Sequence, residues 1–243
     1  MSSREPVCLF VSDVHLAPGD AAKAGRFRAF LREAARRAGR LFILGDLFDF
    51  IAGPQHVALP EFRPVLDMLR EAAAAGLRVG FIPGNRDYAG AEALARAARI
   101  ELLPPRVEVR LGGRRVFLEH GDLLFNRNPR YFAYRRIAGA RGIQRLWAGL
   151  PKALVVRFAS GLRGVSRRDT PPSPFRTGAD LLAAARPAFR RGADVVICGH
   201  LHRSADLRTD VEGRERRLIV LGEWRDGCPH ARYAEGAFAC VDR

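Results

Sequence analysis

The chain has 243 residues, 48% of them apolar, and a formal net charge of +15 at pH 7. It is long enough for one large α/β domain or two small ones with a well-formed core. No segment approaches the ~20 uninterrupted apolar residues of a membrane-spanning helix, and the first residues lead directly into a strand-like run. We therefore expect neither a membrane span nor a signal peptide. The four cysteines show no CxxC spacing, which favours buried thiols in a reducing cytoplasm over disulfides or zinc.

Short apolar runs alternate with amphipathic helical patterns along most of the chain. Apolar runs bounded by Gly, Pro or polar residues are typical of buried strands, whereas apolar residues that recur every three or four positions indicate helices. Strands are predicted over residues 7–12, 41–44, 77–83, 102–110, 114–118, 195–198, 217–221 and 236–241, and helices over residues 21–38, 61–75, 90–99 and 178–190. This alternation predicts an α/β fold.

A residue that can bind metal follows five of the predicted strands. The apolar run 41–44 ends at Gly45, and Asp46 follows at the carboxyl end of the predicted strand. Open α/β sheets bind their ligands at this end of their strands. Any one such residue is better explained as a turn cap, but five in βα order are not. The complete set is Asp13, His15, Asp46, Asn85, His120, His200 and His202. A His, Asp and Asn set without thiolates suits Mn²⁺, Fe²⁺ or Zn²⁺, and we expect Asp46 to bridge two ions.

The loop after the third strand adds two charged residues to this set. Arg86 presents a planar fork that matches phosphate oxygens. Asp87 is placed to orient a neighbouring ligand without binding metal itself.

The strand-end blocks, taken in order, resemble the signature of calcineurin-like metallophosphoesterases. The blocks are Asp13-x-His15, Gly45-Asp46-x-x-Asp49, Gly84-Asn85-Arg86-Asp87, His120-Gly121-Asp122 and Gly199-His200-x-His202. The resemblance implies a single domain over residues 1–243, built as a four-layer αββα sandwich of two mixed sheets with helices outside. It also implies a two-metal centre at the carboxyl ends of the strands.

The resemblance further implies a role for each residue. One ion would be held by Asp13, His15, Asp46 and His202, and the other by Asp46, Asn85, His120 and His200. Asp49 would steady the loops rather than bind metal. The expected catalytic residues are Asp46, Asn85, Arg86 and His120. Two ions joined by a bridging carboxylate would activate water for in-line attack on phosphorus.

Arg86 narrows the expected substrate. Many members of this superfamily have His after the Asn, where it acts on the leaving group, whereas Arg is always charged and suits phosphate clamping instead. The leaving group should therefore need little protonation, as in pyrophosphate cleavage. With the His-Gly-Asp block and Trp224, this variant is similar to the UDP-2,3-diacylglucosamine pyrophosphatase family of lipid A biosynthesis. That similarity implies manganese-dependent release of UMP and 2,3-diacylglucosamine 1-phosphate (lipid X) at the cytoplasmic face of the inner membrane.

The positive charge is concentrated in one segment. Residues 127–191 contain 15 Arg and Lys residues and two acidic ones, and the rest of the chain is nearly balanced. A general bias toward Arg would spread the excess, so an anionic partner is indicated: nucleic acid, lipid headgroups or a phosphorylated substrate. Residues 143–150 and 151–162 combine apolar faces with basic residues, as interfacial helices do. We predict a basic amphipathic helical lid insertion over residues 125–175, although its apolar face could simply pack on the catalytic domain.

The departures from that family lie in the same insertion. Four positions where the family has Asp, Ser, Asn and Lys correspond here to Asn128, Ser166, Thr170 and Ser173, and only Ser166 matches. The expected substrate-binding residues are accordingly Asn85, Arg86, Ser166 and His200. The departures leave the exact acylated nucleotide sugar open.

Two other functions compete with this interpretation. A phosphoesterase acting on nucleic acid or nucleotides would use the same metals, but the basic segment alternates with aliphatic faces rather than aromatic stacking platforms. A non-catalytic membrane-surface protein is disfavoured because every expected metal ligand is present. We therefore expect a monomer that contacts an anionic membrane surface peripherally and needs no nucleic acid.

Overall fold

The computed structural model describes residues 5–138, 149, 175 and 177–242. Elements are numbered in chain order over these residues. The strands are β1 Cys8–Val11, β2 Arg40–Leu44, β3 Arg78–Ile82, β4 Glu101–Leu102, β5 Arg106–Leu111, β6 Arg114–Glu119, β7 Val195–Cys198, β8 Ala205–Val211, β9 Arg214–Val220, β10 His230–Ala234 and β11 Ala237–Val241. The helices are α1 Ala21–Arg37, α2 Pro54–Val57, α3 Arg63–Ala74, α4 Ala91–Ala98, α5 Asp122–Phe125, α6 Pro129–Ala138 and α7 Gly178–Arg190, with short 3₁₀ turns at Pro60–Phe62 and Tyr88–Gly90.

The strands form two mixed sheets. The first has the order β11-β10-β1-β2-β3-β4 and the second the order β5-β6-β7-β9-β8. The parallel strands β1 and β2 pair in a register that places Phe10 opposite Phe42, and β2 pairs with β3 in the same direction. These strands are apolar runs because both of their faces are covered.

The two sheets pack face to face and helices cover their outer faces. Phe10 and Phe42 of the first sheet, stacked with ring centroids 5.2 Å apart, share one core with Ile197 and Ile219 of the second. Separate apolar clusters lie under α1, α3 and α4 on one side and under α5 and α7 on the other. This arrangement confirms the expected four-layer αββα sandwich.

The predicted elements agree with the structure to within a few residues where the apolar pattern is strong. The run 195–198 and the helix over residues 178–190 match β7 and α7 at both ends, and a capping box formed by Thr177 and Asp180 starts α7. The prediction missed β4, β8 and β10 and the short helices α2, α5 and α6. The helices predicted over 143–150 and 151–162, and with them most of the predicted lid, lie outside the described residues. None of the helices that are described is long and apolar enough to cross a membrane.

Candidate metal centre

The predicted ligands meet at the edge of the sandwich where the parallel strands end. Backbone hydrogen bonds join the loops that follow the strands: the His15 amide donates to the Asp46 carbonyl at 3.0 Å. In the second sheet, the Gly199 amide donates to the His120 carbonyl at 2.7 Å. These contacts fix the relative position of loops that are far apart in sequence.

The first group of side chains comprises Asp13, His15, Asp46 and His202, whose ligand atoms all lie within 4.8 Å of one another. Nε2 of His15 is 3.2 Å from Nε2 of His202, and Asp13 Oδ1 lies 3.7 and 3.5 Å from these two nitrogens. Asp13 Oδ1 is buried and has no hydrogen-bond partner. An orphaned carboxylate oxygen facing two imidazole nitrogens fits a divalent cation.

The second group is centred on the amide oxygen of Asn85. Asn85 Oδ1 lies 3.0 Å from His120 Nε2 and 3.1 Å from His200 Nδ1. His120 Nε2 is also 3.5 Å from Asp46 Oδ1, so Asp46 borders both groups. The structure thus brings all seven strand-end residues together at one edge of the sandwich, and their division between two metal ions stays a prediction.

Several ligand-bearing residues have a backbone that L-amino acids adopt rarely. Asp13, His15, Asp46, His200 and His202 all have positive φ, between 51° and 73°, and they are five of the eight non-glycine residues with positive φ among those described. Such a conformation costs of order 1–3 kcal/mol per residue and concentrates at functional sites.

Burial shifts the pKa values of the acidic and the imidazole side chains at this site in opposite directions. It raises the pKa of Asp46 to about 7 and, with the nearby charge of Asp46, raises the pKa of Asp13 well above its usual value. Burial lowers the pKa of His15 to about 2 and that of His120 to about 3, and it lowers the pKa values of His200 and His202 as well. The imidazoles are therefore neutral at pH 7, as ligands must be, while the buried carboxylates favour a neighbouring cation.

A layer of supporting residues orients the ligands. His120 Nδ1 donates to the Leu44 carbonyl at 2.8 Å, which leaves Nε2 free to act as a ligand. Asp87 accepts from the Leu47 and Gly84 amides, both at 2.8 Å, so it ties together the loops after β2 and β3. This contact fits the orienting role expected for Asp87. The Asp49 amide donates to the Leu16 carbonyl at 3.0 Å, in keeping with a role in steadying the loops.

Glu223 also belongs to this layer, and the sequence prediction missed it. Its Oε2 is 3.5 Å from His202 Nδ1, the geometry by which a carboxylate orients a metal-binding imidazole. The sequence offered one indication of this role, because Glu223 follows Gly222, where the predicted strand 217–221 ends. The next residue, Trp224, is buried against Phe27, and its amide donates to the Asp13 carbonyl at 3.1 Å.

Arg86 lies beside the two groups with its side chain 16% exposed. Its amide donates to Asp46 Oδ1 at 2.9 Å. Its Nε is 3.7 Å from Asp46 Oδ2 and has no hydrogen-bond partner. The guanidinium therefore lies at the site and can donate a hydrogen bond to a phosphate oxygen.

The residues predicted in the insertion are only partly described. Asn128 is exposed, and its Oδ1 accepts from the Arg130 amide at 2.9 Å at the start of α6. Ser166, Thr170 and Ser173 lie outside the described residues, so their expected substrate contacts stay predictions.

Comparisons with known proteins agree with this geometry. The model of the calcineurin-like phosphoesterase family matches residues 7–204. The chain is 34% identical to a UDP-2,3-diacylglucosamine hydrolase of Stenotrophomonas maltophilia (strain K279a), covering 96% of this chain and 94% of that protein. It is 36% identical to one of Pseudomonas aeruginosa (strain UCBPP-PA14), covering 89% and 90%.

Similar solved structures include Yfce, a phosphoesterase from E. coli, with 16% identity, a TM-score of 0.48 and coverage of 97% of this chain and 92% of that one. Another is Vacuolar Protein Sorting 29 from Cryptosporidium parvum, with 13% identity, a TM-score of 0.49 and coverage of 98% and 97%. The family match spans most of the sequence and includes all seven strand-end residues. The chain therefore belongs to the calcineurin-like phosphoesterase family and is a metal-dependent hydrolase.

Proposed function

We propose that this protein is a Mn²⁺-dependent pyrophosphatase that hydrolyses UDP-2,3-diacylglucosamine to 2,3-diacylglucosamine 1-phosphate and UMP. The observation that carries the proposal is the 34–36% identity to UDP-2,3-diacylglucosamine hydrolases over 89–96% of the chain. At this coverage the similarity extends from the ligand loops into the basic insertion. A substrate that joins two phosphates to an acylated sugar suits a phosphate-cleaving centre next to a basic, apolar segment.

Two Mn²⁺ ions form the proposed cofactor. Asp13, His15 and His202 would hold one ion, the group of Asn85, His120 and His200 the other, and Asp46 would bridge them. Oxygen and imidazole donors without thiolate suit Mn²⁺. When bound, such a pair supplies the Lewis acidity for in-line displacement at phosphorus.

The chain's own residues would position the pyrophosphate. Arg86 carries a permanent charge beside Asp46, held by its backbone bond to that carboxylate, and it would clamp the phosphate that is attacked. Asn85 and His200 border the same face and would contact the scissile phosphate. Because a phosphate leaving group needs little protonation, an arginine serves here where a general acid would otherwise be needed.

The described part of the insertion supports peripheral membrane contact. On α6, Phe132 is 38% and Ile137 is 59% exposed, and Arg130 and Arg136 beside them are exposed too. Apolar side chains among arginines suit the headgroup region of an anionic membrane. We propose that the enzyme works as a monomer in peripheral contact with the cytoplasmic face of the inner membrane.

Vesicle sedimentation tests the membrane contact. Vesicles that contain anionic phospholipid should capture the protein, and Ile137→Glu should release it. The matched control is Leu102→Glu, because Leu102 is 38% exposed on β4 in the first sheet, outside the insertion. Equal capture of both variants would argue against contact through α6.

A substrate panel tests the reaction. The purified protein with Mn²⁺ should release UMP from UDP-2,3-diacylglucosamine and leave UDP-glucose, cyclic nucleotides and single-stranded DNA intact. Cleavage of DNA or cyclic nucleotides in place of the acylated sugar would instead support the alternative phosphoesterase, which would use the basic segment to follow phosphates. A nucleic-acid substrate would also bind with a steep dependence on salt concentration, whereas lid binding should depend on acyl-chain length.

A further inference from the structure

Arg135 on α6 is buried, whereas Arg136 next to it is exposed. The Arg135 side chain is 8% exposed, and Arg136 faces solvent. A buried guanidinium is costly unless its charge and its N–H groups find fixed partners. The partners of Arg135 therefore indicate what this residue does.

One set of contacts brackets the loop that carries Asn85. Arg135 Nη2 donates to the Pro83 carbonyl at 3.3 Å. The guanidinium also lies over the ring of Tyr88, 4.9 Å from its centroid. Pro83 and Tyr88 stand immediately before and after residues 84–87, so Arg135 contacts the residues at both ends of this loop.

A second contact reaches the loop that carries His120. Arg135 forms an ion pair with Asp122, and the hydroxyl of Tyr131, on the same helix, donates to the same carboxylate. Asp122 follows His120 by two residues and is buried. The two loops joined by Arg135 are the ones whose side chains meet at the second group, where His120 Nε2 lies 3.0 Å from Asn85 Oδ1.

We propose that Arg135 is a positioning residue that couples the seating of α6 to the second metal site. It holds the loops of Asn85 and His120 at the spacing at which one ion can bind both. None of its contacts among the described residues reaches Asp13, His15 or His202. Its charge acts on Asp46, which both sites share, but a lysine would keep that charge, so only the second site depends on the geometry of its contacts. The inference rests on the two-ion centre proposed above. It makes the first helix of the basic insertion part of the metal-binding apparatus, and not only a cover for the substrate.

Metal titration of Arg135→Lys tests the coupling, with Arg136→Lys as the matched control on the same helix. Lysine keeps the charge but cannot span the Pro83 carbonyl and Asp122 together. Calorimetric titration with Mn²⁺ should give two ions for the unmodified protein and for Arg136→Lys. In Arg135→Lys one ion should bind with unchanged affinity, and the other should bind about 10-fold to 100-fold more weakly, the usual effect of losing an orienting partner.

Tyr131→Phe is a milder second variant, which removes only the hydroxyl that donates to Asp122. It should lower the affinity for the same ion by a smaller factor. If Arg135→Lys does not fold, this variant alone tests the coupling. Two ions of unchanged affinity in both variants would overturn the coupling, as would equal weakening of both ions, which is what a merely structural ion pair predicts. An unmodified protein that binds fewer than two ions would overturn the two-ion centre itself, and the coupling with it.

Discussion

Gly84 stands where the loops after β2 and β3 come into contact. A Cβ at this position would lie 2.2 Å from Asp46 Oδ1 and 2.5 Å from the Asp46 amide nitrogen. No side chain fits at these distances unless the Asp46 backbone moves. Glycine is therefore required here by the close approach of the Asp46 carboxylate, and not by backbone conformation.

Gly84→Ala should displace Asp46 and so damage both metal sites. We expect a destabilisation of about 1–3 kcal/mol, as in other overpacked sites, together with loss of tight Mn²⁺ binding. Thermal unfolding and calorimetric titration measure the two effects. Gly25→Ala is the control, because Gly25 lies within α1 and a Cβ there meets nothing within 4 Å.

The control should gain stability, by about 0.5–1 kcal/mol, because alanine is the better helix former. It should bind Mn²⁺ as the unmodified protein does. Normal Mn²⁺ affinity in Gly84→Ala would show that Asp46 does not need its present position.

The sequence predicted that the strand-end residues converge, but not which residues support them. The strand-end residues could be predicted because parallel strands of a sheet end at one edge, so local sequence determines which side chains meet there. The contact of Glu223 with His202 depends on the path of the chain after β9. The contacts of Arg135 depend on how α6 docks, and nothing in its helix distinguishes it from Arg136 beforehand.

The side chain of Arg217 links the two sheets through hydrogen bonds. From β9 it donates two hydrogen bonds to Asp206 on β8, at 2.8 and 2.6 Å. Its Nη1 donates at 3.0 Å to the carbonyl of Phe238, on β11 of the other sheet. The Asp206 carboxylate thus holds a guanidinium that links both halves of the sandwich.

Asp206→Asn should weaken this link in a pH-dependent way. The bidentate bonds from Arg217 hold the pKa of the Asp206 carboxyl below its usual value. A carboxyl with a lowered pKa stabilises the folded protein above its unfolded pKa of about 4, and the effect fades as pH falls below that value. We expect a loss of about 1 kcal/mol at pH 7, since Asp206 is partly exposed.

The difference between the variant and the unmodified protein should become smaller as pH falls from 7 to 3. Denaturant unfolding at pH 7 and pH 3 measures it. Glu212→Gln, an exposed position between β8 and β9, controls for the loss of one negative charge and should leave stability unchanged. An equal loss at both pH values would exclude the ionised carboxylate as the cause.

The elements that sequence analysis missed lie mostly where the apolar signal is weak. Strand β8 alternates half-buried and exposed residues and is the last strand of its sheet. Strand β4 has two residues, both exposed. Strands β1, β2 and β7 were found because they are covered on both faces and read as continuous apolar runs. Burial on both faces therefore made these three strands easy to predict, although the partly exposed strands β5 and β11 were predicted as well.

The sandwich buries two carboxyl groups close together, and its other residues do not fully balance their negative charge when they are ionised. Asp13 and Asp46 are buried close together, and the four imidazoles around them are neutral at pH 7. Arg86 supplies a positive charge beside Asp46. The core of two sheets and two helical layers therefore maintains an arrangement that is unfavourable without a cation, as is common at functional sites.

Removing metal should consequently lower the stability of the whole protein. Each Mn²⁺ at 100 times its dissociation constant stabilises a folded protein by about 2.7 kcal/mol. Two ions would give about twice this value, which corresponds to about 10–20 °C in the melting temperature for a chain of this size. We expect a chelator to lower the melting temperature by this amount at pH 7.5, and Mn²⁺ to restore it. Equal melting temperatures with and without chelator would contradict the prediction.

Asp46→Asn, measured in the same experiment, distinguishes the stabilisation due to the ion from the effect of the buried carboxylate on the fold. The amide has the shape of the carboxylate but no charge, so the variant should not respond to Mn²⁺. Burial raises the pKa of Asp46 to about 7, so its ionised form destabilises the metal-free protein at pH 7.5, and this cost fades as pH falls toward 4. The metal-free variant should therefore melt above the metal-free unmodified protein at pH 7.5, and the gap should narrow at pH 5. A variant that melts lower at both pH values would mean that the Asp46 carboxylate stabilises the fold without any ion.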